Sequence, residues 1–202
     1  RRFLDTWTLI SALAPQTERI RFFPDVANLP LRPPAMLAKA AASLDVLSGG
    51  RVEMGLGAGG FWDAIEAMGG PRRGPGEALR ATEEAIKVMR LVWSDERSLR
   101  FDGEFYRLRG MRPGPRPAHD IGIWVGAYGP KMLNLIGRLA DGWVPSLGYT
   151  PPERVPELQE RIDEGAAQAG REPSGIRRIY NVSGRIGAEG DEAAALDGRD
   201  RA

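Results

Sequence analysis

The chain has no cysteine and a single histidine, His119, and these two scarcities remove several kinds of chemistry at once. Without thiols there is no disulfide framework, no thiolate metal centre and no cysteine nucleophile. One imidazole does not build a histidine metal site, so no metal is expected. No G-x-S-x-G elbow presents a serine for Ser/His/Asp chemistry. An excess of one charge is missing as well: 28 basic residues stand against 27 acidic ones, and no block of like sign occurs. A surface that reads phosphates needs clustered Lys and Arg, so nucleic acid is not an expected partner; Arg72-Arg73 and Arg177-Arg178 are isolated pairs. No apolar run approaches the length of a membrane span, and no secretory leader pattern opens the chain. The expectation is a soluble cytoplasmic protein. Aromatic residues are few, at 7%, but 42% hydrophobic content over 202 residues suffices for one folded core.

What the chain does have is glycine and proline placed between periodic segments. Asp5–Ala14 has helical spacing with Asp5 as N-cap. Arg19–Asn28 is apolar on both faces, as a covered parallel strand requires, although Pro24 interrupts it. A helix over Ala35–Leu47 has proline at its start and Gly49 at its stop. Strand Val52–Leu56 runs into a glycine cluster and then a short helix, Phe61–Met68. Gly69–Gly76 reads as a lid or surface loop, and a long helix spans Glu77–Trp93 with Glu83 four residues before Lys87. Alternating runs around Asp102-Gly103 predict a hairpin with a two-residue turn. A proline-rich loop carrying His119, expected to be solvent-exposed, leads to strand Ile121–Val125. Helix Met132–Ala140, strand Gly142–Pro145, a helix from Pro151 to Ala169 and strand Ile176–Ile186 follow, then a polar tail, Glu189–Ala202. Strands separated by helices give an α/β protein with about five parallel strands. Trp7, Trp93, Trp124 and Trp143 each fall in an apolar periodic run and are expected in the core.

Two strand ends carry the candidate chemistry. Gly55, Gly57 and Gly60 satisfy the letters G-x-G-x-x-G, which raises the possibility of an NAD(P)-dependent Rossmann dehydrogenase. That reading needs a second strand ending in Asp or Glu about 20 residues on, and none is found. The same glycines let a flat ring approach the backbone, or else simply form a tight turn. Gly126-Ala-Tyr-Gly-Pro-Lys131 is a strand end feeding a helix N-terminus, either an anion site or an ordinary β-α turn. Asn28 ends the first strand on the same rim, as a cofactor contact or as a turn former beside Pro30. Trp62 is placed to wall a ring site or to pack under the loop.

Ala35-Met-Leu-Ala-Lys-Ala-Ala-Ala-Ser-Leu-Asp-Val-Leu-Ser-Gly-Gly-Arg-Val-Glu-Met-Gly-Leu-Gly-Ala-Gly59, Ile123-Trp-Val-Gly-Ala-Tyr-Gly-Pro130, Leu139-Ala-Asp-Gly-Trp143 and the hairpin Phe101-Asp-Gly-Glu-Phe-Tyr106 together give the chain a family likeness. It resembles the bacterial-luciferase-like flavin- and deazaflavin-dependent oxidoreductases. The resemblance implies a partial TIM-type (β/α)8 barrel with insertions, one domain over residues 1–202 lacking the first two strands and the last strand. It implies an oxidoreductase or monooxygenase using non-covalent FMN or a deazaflavin coenzyme (F-420) on a small organic substrate, and a homo-oligomer, a dimer, in the full-length protein. Carried over by position, Ala27 and Asn28 match the strand end against the ring, where the family often has an unusual peptide bond. Gly57, Ala58 and Gly59 match the neighbouring strand end, and Gly126, Ala127, Tyr128 and Gly129 match the phosphate-binding turn. Relatives often carry an acidic or amide residue soon after the glycine loop; Asp63 is the candidate here. The family's acid/base side chains come largely from its first two strands, so no catalytic residue is assigned. The rival of another class is a non-catalytic remnant that binds a partner.

A sheet of five such strands does not close, and its free edges invite pairing with other chains. The isolated 202 residues are expected to aggregate or unfold irreversibly. Light scattering and refolding from denaturant check this; a monodisperse chain with reversible two-state unfolding would contradict it.

Overall fold

The computed structural model describes residues 4–183; the tail expected at Glu189–Ala202, and the expected last strand beyond residue 183, lie outside the described residues. Helix α1, Thr6–Leu13, starts at Asp5, whose carboxylate accepts the Thr8 N–H. Strand β1, Ala27–Asn28, is followed by α2, Pro34–Ser48, which begins with proline in its first turn and ends on Gly49 at φ +70°. Strand β2, Met54–Gly57, leads to α3, Trp62–Ala67, and α4, Pro75–Val92. A hairpin of β3, Leu99–Asp102, and β4, Arg107–Met111, precedes β5, Ile123–Gly126. Then come α5, Pro130–Leu139, β6, Gly142–Trp143, α6, Val155–Gln168, and β7, Arg177–Arg178.

The five strands other than the hairpin form one parallel sheet in the order β1-β2-β5-β6-β7. Side chains alternate across it. Ala27, Met54, Leu56, Ile123, Val125 and Trp143 face the helices and join the main core with residues of α1, α2, α4, α5 and α6. The opposite face is nearly bare of side chains, because Gly55, Gly57, Gly126 and Gly142 occupy the alternate positions. Trp124 lies on this glycine face, against Gly142 and edge-on to Phe23. It is buried, as expected, but on the face opposite the main helix-side cluster. Trp93 is half-buried and donates its indole N–H to the Ala38 carbonyl.

The first strand is much shorter than its letters suggest. Phe22 makes one bridge to Val52, and pairing resumes only at Ala27. Between them Pro24 has no N–H to give a ladder, the Asp25–Val26 peptide is cis, and the chain crosses the glycine face. A Cβ on Gly55 would stand 1.9 Å from the Pro24 carbonyl oxygen, and one on Gly57 2.5 Å from Val26 Cγ2. A flat sheet of five strands holds its edges about 19 Å apart, at about 4.8 Å per spacing. Yet Asn181, just beyond β7, donates to Asp25 Oδ2 at 2.6 Å across the sheet from β1. Curl of the sheet and the crossing segment together close that gap.

The hairpin also differs from expectation. Asp102 pairs with Arg107 and the Gly103 N–H reaches the Tyr106 carbonyl at 3.0 Å, so the tip lies at Glu104-Phe105 and not at Asp102-Gly103. Glu84 on α4 braces it: its carboxylate accepts the N–H groups of Glu104, Phe105 and Tyr106. The Gly69–Gly76 segment is irregular up to α4, with Arg72 paired to Asp63 and Glu66, and Arg73 bonded to the Tyr106 hydroxyl.

The N-terminal ends of the strands are held by carboxylates on backbone amides. Asp45, wholly buried, accepts the N–H groups of Val52, Ala118 and His119. Arg51 reaches the other way, to the carbonyls of Ala14, Ile20 and Ser48 and to Thr17 Oγ1. Glu53 accepts Gly122 N at 2.6 Å and Arg21 Nη2 at 2.6 Å. Asp141 accepts Ile123 N at 2.7 Å and pairs with Arg90. Removing Asp45 leaves the buried Val52 amide and the part-buried Ala118 and His119 amides without an acceptor, and an unsatisfied buried donor costs about 1–3 kcal/mol. Asp45→Ala is therefore expected to destabilise by about 1–3 kcal/mol, and Asp45→Asn, which keeps one carbonyl oxygen, by less. Denaturant unfolding of both variants in the full-length protein checks the order; equal stability of Asp45→Ala and the parent protein would refute the role.

Candidate functional site at the carboxyl ends of the strands

The two ends of the sheet are chemically unlike. At the amino end, acids and arginines satisfy one another and the backbone. A cleft of about 1230 Å³ opens there, lined by Arg21, Glu53, Arg90, His119, Asp141 and Arg177 among others. Of its acids, Glu53 and Asp141 are bonded as described, while Asp120 is exposed at the mouth. His119, expected to be exposed, is instead partly buried in this network. Its Nε2 lies 2.9 Å from Arg21 Nη2, and its Nδ1 stands 2.9 Å from Asp45 Oδ1, off the line of a hydrogen bond.

At the carboxyl end the polar groups are not all satisfied. Asn28, Gly57 and Gly126 are neighbours in register on β1, β2 and β5, and all three sit on the glycine face. The Asn28 Oδ1 atom is buried with no hydrogen-bond partner. A buried amide oxygen left unpaired costs free energy, and such a group at a strand end marks a place for a donor from a ligand. The Thr150 hydroxyl, in the turn after β6, is buried and unpaired in the same way.

The remaining predicted residues divide between rim and core. Ala27 and Ala127 turn their methyls into the helix-side core, and the Ala127 carbonyl accepts the Trp143 indole N–H at 2.9 Å. Only their backbones reach the rim. Ala58 is half-buried. Gly59 has φ +113°, and a Cβ on it would stand 2.4 Å from the Trp62 ring, so this glycine is required by Trp62 packing back over the loop. Gly129 caps α5, its carbonyl accepting from Met132 and Leu133, with Pro130 in the first turn where a missing N–H is harmless. Asp63 lies on the exposed side of α3, paired with Arg72.

Tyr128 joins a cluster that sequence reasoning missed. Its ring packs on Tyr149, centroids 5.2 Å apart, and both phenols are substantially exposed, at 40% and 57%. Partial burial pushes the Tyr128 phenol above its ordinary value, with a Ser146 hydroxyl contact acting in the opposite direction. Asn181 Nδ2 bridges Asp25 Oδ2 and Ser146 Oγ. Loss of water around it raises the Asp25 carboxyl. Asp25, Ser146, Tyr149 and Asn181 all follow or adjoin strand ends; following every strand to its carboxyl end, β6 included, is the signal that would have found Ser146 and Tyr149. Among the described residues no group of three His, Cys, Asp or Glu side chains is gathered to hold a metal ion. No helix among them is long and apolar enough to cross a membrane.

Comparison with known proteins places the family and the fold. The chain is 30% identical over 191 residues to a 5,10-methylenetetrahydromethanopterin reductase of Archaeoglobus fulgidus, covering 94% of this chain and 54% of that protein. It is 30% identical over 197 residues to an F420-dependent glucose-6-phosphate dehydrogenase of Intrasporangium calvum, covering 96% of this chain and 58% of that one. The chain thus spans about half the length of the curated relatives it matches. Among solved structures, an F420-dependent secondary alcohol dehydrogenase in complex with an F420-acetone adduct superposes with TM-score 0.81 at 23% identity, over 89% of this chain and 54% of that one. The fold is therefore α/β with the parallel sheet of a luciferase-like TIM barrel, matched over about half its length. The sequence model of the luciferase-like monooxygenase family matches residues 1–198, and the chain belongs to that family.

Proposed function

We propose that this protein is an oxidoreductase that binds FMN or a deazaflavin coenzyme non-covalently at the carboxyl rim of its sheet and acts on a small organic substrate. The observation that carries the reading is the registered row Asn28–Gly57–Gly126, two of whose three members have no side chain and against which only Val26 packs, with an orphaned buried acceptor at its edge. A planar ring needs close approach to backbone and a few hydrogen-bond partners at its edge, and this row offers both. The turn Gly126–Gly129 with the N-terminus of α5 beyond it offers backbone N–H groups and the positive end of a helix dipole to a phosphate. Lys131, exposed on the first turn of α5, adds a positive charge near that end.

When bound, the ring supplies the hydride or oxygen chemistry; the protein supplies position and exclusion of water. Asn28 would orient the ring edge, Gly126 would admit its face beside the Val26 side chain that covers Gly57, and the Tyr128–Tyr149 pair would wall the adjoining side. Relatives named as F420-dependent favour the deazaflavin as the first ligand to try. A homodimer is part of the same proposal for the full-length protein.

Fluorescence titration with FMN and, separately, with coenzyme F420 tests the reading, and saturable binding of one of them is expected. A Cβ on Gly126 meets only ordinary contacts, 3.4 Å to Val26 and 3.6 Å to the Val144 carbonyl, so Gly126→Ala is expected to fold and yet crowd the ring. About a tenfold weaker Kd is expected for Gly126→Ala, and several-fold for Asn28→Ala, the loss of roughly one hydrogen bond. Absence of binding by both ligands would overturn the proposal.

A further inference from the structure

The acids near the strands fall into two groups. Asp45, Glu53 and Asp141 lie at the amino end and are bound to backbone amides, and Glu84 is enclosed by the hairpin turn. Asp63, by the glycine loop, faces solvent and pairs with Arg72. Asp25 is different. It lies at the carboxyl rim, one residue before Val26, whose side chain covers Gly57 and approaches Gly126. Oδ2 accepts one hydrogen bond, from Asn181 Nδ2 at 2.6 Å, and among the described residues Oδ1 has no partner. The groups facing it are the Asn181 amide, which also holds Ser146, and the phenol of Tyr128, itself stacked on Tyr149; among the described residues no cation pairs with it. A carboxyl in a polar but uncharged setting, open to solvent on one oxygen, is arranged to change its protonation state when that water is displaced.

We propose that Asp25 is the proton-exchanging residue of this rim: a ring seated against Val26, between Asn28 and Gly126, displaces its remaining water, and the carboxyl takes up one proton from solvent. The neutral acid then presents an O–H donor to the ligand where the empty site presented a carboxylate. This rests on the reading of the rim as a flavin or deazaflavin site. The direction follows from the physics: removing water disfavours the charged form, so binding raises an acid already held above its ordinary value by partial burial. Affinity is linked to that uptake and rises as pH falls through the carboxyl's range.

The test is calorimetric titration of the protein with FMN and, separately, with coenzyme F420, in two buffers of different ionisation enthalpy. At about pH 5, above the ordinary aspartate range, binding is expected to take up a proton, and at about pH 8 much less. Asp25→Asn, which keeps the size and can still meet Asn181, is expected to bind without uptake and with a Kd flat across that range. Asn181→Ala removes the donor that stabilises the carboxylate, and is expected to extend the uptake to higher pH. Ring binding with no uptake in the parent protein, or with undiminished uptake in Asp25→Asn, would overturn the inference while leaving the cofactor site standing. Failure of both ligands to bind would remove the site, and this inference with it.

Discussion

A carboxylate with no access to water has to be met by donors, and the base of this structure is organised around one that is. Asp45 gathers three amides from two separate stretches of chain, one entering β2 and one in the long proline-rich segment before β5. Arg51 completes the joint from the other side by collecting carbonyls from the end of α1 and the segment after it. The two side chains flank a glycine turn, so a seven-residue stretch fixes where two strands begin and where the first helix sits. Glu53 and Asp141 repeat the device one strand along. With the strand starts set in this way, their ends arrive in register, and the row Asn28–Gly57–Gly126 is a consequence of that register.

This division of labour explains why the charged residues of the most family-like stretch, Asp45 and Arg51, serve the backbone. Asp45 and Arg51 are charged residues in a distinctive motif, and both are bound to backbone. The glycines that follow serve a different purpose. Part of the room they open is taken by the chain itself, since Pro24 and Val26 lie against Gly55 and Gly57, and Trp62 against Gly59. Close approach of backbone to backbone lets the segment through Asp25 cross the sheet and meet Asn181. The rim is therefore assembled from both edges of the sheet, and its polar groups come from residues far apart in sequence.

Much of the fold was legible because it rests on local signals. Proline at the start of α2, Gly49 at its end and the apolar periodicity of α4 and α5 placed those helices, and alternation of helix with strand gave the parallel sheet. The break in the first strand was legible too, at Pro24, which has no ladder donor to give. The departures from expectation depend on distant partners. The hairpin tip is braced by Glu84, about 20 positions earlier, which binds its amides. His119 is held by Asp45 and Arg21, neither of them near in sequence. At the rim, Asn28 and the Gly126 turn could be read from strand ends, whereas Asp25, Ser146 and Asn181 become a group only once the sheet has curled. The letters of the dinucleotide fingerprint were misleading for the same reason. The parallel neighbours of β2 are β1 and β5, and β5 follows only after two helices and a hairpin.

The central claim is that ligand binding belongs to the carboxyl rim and structural support to the amino end, even though the larger cleft lies at the amino end. Hydrogen exchange of the backbone amides, with and without FMN or coenzyme F420, separates the two most directly. The account predicts added protection in residues 26–28, 57–59 and 126–129 and no change around Val52, Ala118 and Gly122, whose amides are already bonded to carboxylates. Protection confined to the amino-end cleft near Arg90 and Asp141, with the rim unaffected, would contradict it.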